Sequence, residues 1–84
     1  MAGHPVIVPV DDVIAILNRA TLAEPGVITG ATRLDALPNW DSIGAVYLVG
    51  EAMDRWGSAL MAEDFAECAT VAALAARIAL RAGG

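Results

Sequence analysis

The chain contains no lysine. That excludes a Schiff-base nucleophile and the lysine of a phosphate-binding loop. Cysteine is almost as scarce, Cys68 being alone. A lone cysteine forms no internal disulfide, and no signal-peptide pattern opens the sequence, so a reducing, cytoplasmic setting is expected. Histidine occurs once, as His4. No cysteine or acidic cluster stands near it at ligand spacing, so it reads as a solvated tail residue and no metal site is expected. No histidine neighbours a serine or cysteine either, which leaves no nucleophile–base pair. Long apolar runs are missing too. Val6-Ile7-Val8 is short, is interrupted by Pro5 and Pro9, and has no basic residue ahead of it. It is neither an export signal nor a membrane span. These absences predict a protein that is not an enzyme and does not enter a membrane.

Basic charge is limited to five arginines against ten acids, a net charge of −5, which disfavours nucleic acid as a partner. The imbalance is local. Between Asp41 and Glu67 stand six acids (Asp41, Glu51, Asp54, Glu63, Asp64, Glu67) and one base, Arg55. Elsewhere four acids balance four arginines. A small protein needs some net charge to stay soluble. A concentrated field also steers a molecule toward basic docking patches, and this one flanks the most distinctive motif of the chain.

What is abundant is apolar residues, 57% of 84. The length means one small domain with a limited core, and the organisation reads as a loose arm over residues 1–10 and one domain over residues 11–82. A first helix starts at Asp11 or Asp12, acids suited to its positive end. Val13, Ile14, Leu17, Ala20 and Thr21 form its buried face, Leu22 and Ala23 finish it, and Pro25-Gly26 stops it. Residues 24–40 form a long connection in which Val27, Ile28, Leu34 and Leu37 are the candidate anchors. A second helix runs from Ser42 to about Trp56, with Gly57 as the residue that ends it. Spaced at 100°, Ile43, Ala45, Val46, Val49, Ala52, Met53 and Trp56 crowd one half of its circumference, and Leu48 lies on the border. That half is expected to face the core. Gly50 falls within it, where a small residue would admit a close neighbour. Leu60 anchors the next connection, and Ala62 to about Cys68 reads as a short third helix. Cys68 is expected to be a small buried hydrophobe rather than a reactive thiol. Thr70 caps the last helix, whose buried face is Val71, Leu74, Ala75 and Ile78, with Arg77 and Arg81 outward. Glu63, Asp64 and Glu67 read as exposed, without tuned acid–base roles.

The distinctive motif is Leu37-Pro38-Asn39-Trp40-Asp41-Ser42-Ile43. Asp41 and Ser42 are both good helix caps, and from the dipeptide alone a plain cap is the simpler reading. Trp40, one residue earlier, reads as a lid on the core. Yet a serine on a first helical turn is held rigidly and open to solvent. The unpaired N–H groups there favour a phosphate attached to it.

Trp40-Asp41-Ser42-Ile43, the apolar helix that follows, and Thr70-Val71 leading a last helix together resemble the acyl carrier protein family. The resemblance runs from about Asp11 to Leu80. The family signature is Asp-Ser-Leu at the start of the second of four helices, and the Trp-Asp-Ser form resembles a variant of stand-alone carriers. Asn39 stands where the family usually has Gly, and Ile43 where it usually has Leu. Asn tolerates left-handed backbone, and Ile keeps an apolar contact. The resemblance implies an all-α, four-helix bundle with a short third helix and a long first loop. It implies 4′-phosphopantetheine, taken from coenzyme A, on Ser42, carrying acyl groups as thioesters for fatty acid, polyketide or related biosynthesis. It implies a phosphopantetheinyl transferase as partner, together with acyl-transferring or condensing enzymes bearing basic docking patches. These would meet Asp41, Tyr47, Glu51 and Asp54, and the carrier would act as a monomer. It places Val46, Leu60 and Cys68 along the cleft where an acyl chain shelters. Tyr47 falls where many members carry an acid, which implies specialised partners. Two alternatives stay open: an aminoacyl or peptidyl carrier, whose usual Gly-Gly before the serine is not seen here, and an unmodified acidic helical interaction module.

Overall fold

Four helices make up the computed structural model, which describes residues 6–82: α1 (Val10–Thr21), α2 (Ser42–Trp56), α3 (Ala62–Glu67) and α4 (Val71–Arg81). The fold is all-α, as the periodicities predict. Among the described residues there is no strand, and one isolated antiparallel bridge joins Arg33 to Thr70. Among the described residues no helix is long and apolar enough to cross a membrane. His4, with the rest of residues 1–5, lies outside the described residues.

α1 begins at Val10, just before the acids expected to open it. Extended Pro9 serves as its N-cap through its backbone carbonyl, which accepts from the Asp12 and Val13 N–H groups. Asp11 and Asp12 act on the helix dipole from the first turn instead. Val13, Ile16, Leu17 and Thr21 are buried, so Ile16 joins the inward face and Ile14 moves to its edge. The helix ends at Thr21, with Leu22 in the left-handed region at φ 57°. Of the four candidate anchors in the connection, Ile28, Leu34 and Leu37 are buried and Val27 is exposed. A 3₁₀ turn at Leu34–Ala36 shortens the connection. Its middle is stitched to α4: Val71 N–H donates to Thr32 O at 2.9 Å, Ala72 N–H to Gly30 O at 2.9 Å, and Leu34 N–H to Ala69 O at 3.0 Å. The first N–H groups of α4, which a helix cannot satisfy internally, are thus used to hold a loop.

α1 packs on α2 and α4, α2 on α4, and α3 on α4. α4 turns Val71, Leu74, Ala75 and Ile78 inward, and Thr70 Oγ1 accepts from Ala73 N–H at 3.1 Å, both as predicted. α2 is rotated from the expected orientation. Gly44, Leu48 and Ala52 face the core at an i, i+4, i+8 spacing, while Ala45, Val49 and Trp56 are half-buried beside them. Ile43, Val46 and Met53 are 77%, 71% and 50% exposed. The inward face is thus made of small residues around Leu48, and the bulkier side chains are left outside. Gly50 is exposed, and a Cβ there would meet nothing within 4 Å, so it is not a point of close approach.

Asp64 corrects the sequence reading as well. It is fully buried, and Arg77 and Arg81 turn back to it instead of pointing away.

Candidate functional site

Ser42 is exposed at the first position of α2, and Asp41 supplies the cap. Asp41 is extended (φ −145°), and its Oδ1 accepts from Gly44 N–H at 2.9 Å. The two good cappers therefore divide the work, and the serine hydroxyl is spared for solvent. The approach to the pair is fixed from behind. Asn39 takes the left-handed conformation (φ 55°) that its residue type tolerates, and its Nδ2 donates to Thr21 O at 3.2 Å. The turn before Ser42 is thereby tied to the end of α1.

Trp40 is half-buried against the core, as its reading as a lid requires. Its ring lies along the first turn of α2: a Cβ at Gly44 would sit 3.2 Å from its Cε3 and Cζ3 atoms. It also meets Phe65 of α3, ring centroids 6.0 Å apart. Beside these rings a groove of about 440 Å³ opens between α2 and α3, lined by Trp40, Ser42, Ala45, Val46, Val49, Ala62 and Phe65. Ser42 is the hydroxyl at its mouth and the rest of the lining is apolar or aromatic. Of the residues placed on the cleft by resemblance, Val46 lines this groove. Leu60 is buried in the core. Cys68 borders a second cavity of about 560 Å³, which also touches Leu34, Trp40 and Phe65. Its thiol is buried, with Sγ 3.7 Å from Ala73 O, and burial pushes its pKa up, which fits a small hydrophobe. Ala62 and Phe65 were missed as groove residues; their i, i+3 spacing on a short helix was the available signal.

The acids are less free than their sequence positions imply. Arg77 reaches Asp64 at 2.6 Å and Glu67 at 2.8 Å, Arg81 reaches Asp64 at 2.8 Å, and Arg55 pairs with Glu51 at 3.1 Å one turn along α2. Asp41 is engaged as a cap. Tyr47 and Asp54 are exposed on α2, along the edge of the apolar strip Ile43–Val46–Met53. A face expected to be mainly acidic is thus apolar at its centre, with acids at its margin.

Among the described residues no histidine stands beside the Ser42 hydroxyl. What the site offers is an exposed hydroxyl on the first turn of a helix, next to an apolar groove. Comparison of the chain with protein-family models, with curated proteins and with solved structures gives no match.

Proposed function

We propose that the chain is an acyl carrier protein, with 4′-phosphopantetheine joined to Ser42. The observation that supports this reading is the exposed Ser42 hydroxyl on a helix whose cap is supplied by its neighbour. Capping would have used the oxygen; presentation leaves it free to be modified.

The residues present fit the group. A phosphate on Ser42 would meet the positive end of α2, where remaining N–H groups favour an anion. An apolar acyl group would find Trp40, Ala45, Val46, Val49 and Phe65 alongside. When bound, the group supplies a terminal thiol that holds the acyl group as a thioester. The chain's own part is to present the hydroxyl, to keep the start of α2 rigid through Asp41 and Asn39, and to shield apolar cargo from water. A phosphopantetheinyl transferase makes the attachment using coenzyme A and Mg²⁺. The cargo then passes to acyl-transferring or condensing enzymes of fatty acid, polyketide or related synthesis. These partners would meet Ile43, Val46, Tyr47 and Met53 at the centre, with Asp41, Glu51 and Asp54 around them.

The test is intact-mass measurement after incubation with coenzyme A, Mg²⁺ and a broad-specificity transferase. The parent is expected to gain one phosphopantetheine unit and Ser42→Ala none. No gain in the parent would overturn the reading. It would favour an unmodified interaction module, for which the exposed Ile43–Val46–Met53 strip is the specific support.

A further inference from the structure

The groove beside Ser42 and the cavity behind it are separated by side chains. Trp40, Ala62 and Phe65 line both spaces, one of about 440 Å³ and one of about 560 Å³. The two rings meet at a 48° tilt, one carried by the connection and the other by α3. The position of the indole is built in, since Gly44 gives it room on the face of α2 and Asn39 fixes the backbone leading to it. Beyond the rings the second space is lined by Leu34 and Cys68, both buried and apolar, and at its rim by the charged Arg33, Asp35 and Glu67. The charged groups at that rim are paired, Arg33 with Asp35 at 3.2 Å and Glu67 with Arg77 at 2.8 Å, so no bare charge bars an apolar chain from the second space.

We propose that Trp40, together with Phe65, is the specificity-determining wall that sets the length of apolar chain sheltered beside Ser42. The ligand class is a linear saturated acyl chain. In the parent it fills the outer groove and stops at the indole. Without the indole the two spaces join, and a longer chain continues over Leu34 and Cys68. This rests on Ser42 being the tether, but it is tested without the transferase.

Ser42→Cys in a Cys68→Ala background is labelled with alkyl methanethiosulfonates of increasing chain length. The thiolate attacks the reagent's sulfenyl sulfur, an alkyl disulfide forms and methanesulfinate leaves; intact mass verifies a single adduct. Melting temperature is then followed against chain length. It is expected to rise by on the order of 1–3 °C per sheltered methylene, the groove being half open, and to level off when the groove is full. With Trp40→Ala or Phe65→Leu added, the levelling point is expected at longer chains. Phe65→Leu keeps most of the apolar area and carries the comparison if Trp40→Ala does not fold. The same levelling point in parent and variants would overturn the proposal. So would a parent whose melting temperature ignores chain length. Because the label is attached chemically, failure of the transferase test and failure of this one are distinguishable.

Discussion

The carboxylate of Asp64 is 0% exposed and takes hydrogen bonds from Met61 N–H at 2.8 Å, from Arg77 and from Arg81. Burial by itself would raise its pKa. The Met61 N–H and the two guanidinium groups overcome that and hold it below the usual carboxylate range. A carboxyl group lowered in the folded state contributes stability above its unfolded pKa of about 3.9, and loses it as pH falls through the lower folded value. Asp64→Asn is therefore expected to cost about 2 kcal/mol at pH 7, or roughly 10 °C in melting temperature. The gap to the parent should narrow as pH drops below about 4. Thermal melts of both proteins at neutral and acid pH check this; a gap independent of pH would show that the charge on Asp64 is not what stabilises it. Nothing in the local pattern marks this residue as buried, because its arginine partners lie 13 and 17 positions away on another helix.

Helix ends show what can and cannot be read along the chain. Gly57 closes α2 in the left-handed conformation (φ 64°), and its residue type announced it. α1 closes in the same conformation at Leu22, 87% exposed, where a Cβ makes that backbone costly by about 1 kcal/mol. Leu22→Gly is expected to relieve the strain, partly offset by the freedom glycine gains in the unfolded chain, and to raise the melting temperature by about 2–5 °C. A fall would mean that the leucine side chain contributes packing its exposure does not suggest. The faces of the helices were unequally legible. α4 alternates clearly enough to give its buried residues outright, down to the Thr70 cap. α2 is apolar around more than half its girth, so periodicity does not choose which part turns inward. The choice shows at Gly44, whose smallness matters only once the Trp40 ring lies against it. Asp41 and Ser42 were legible for a related reason: capping and exposure at a first turn are local properties. The walls of the groove come from the connection, α2 and α3, and no single window of sequence contains them.

At the scale of the whole molecule, half of the acidic segment seen in sequence is balanced in space, and Asp41, Asp54 and Glu63 keep no ion-pair partner among the described residues. Arg77 and Arg81 of α4 reach across to Asp64 and Glu67, and Arg55 takes Glu51. Exposed near Ser42 are Ile43 and Val46 beside Asp41, so docking of the proposed partners is expected to depend on shape more than on long-range attraction. Raising salt shortens the screening length from about 10 Å at 0.1 M to about 3 Å at 1 M. Over that range the rate of the proposed Ser42 modification is expected to change less than about threefold, whereas Val46→Asp should slow it about tenfold or more. Steady-state rates with varied salt decide between the two, and a steep salt dependence with an indifferent Val46→Asp would restore the acids to the leading role. The stitches from Gly30, Thr32 and Ala69 to the start of α4 and its neighbour Leu34 bear on movement as well. They splint the long connection at its midpoint, while Asn39 ties its far end to the last residue of α1. Fraying the beginning of the last helix would free that splint, and would loosen the segment that carries Trp40 without altering any residue of it.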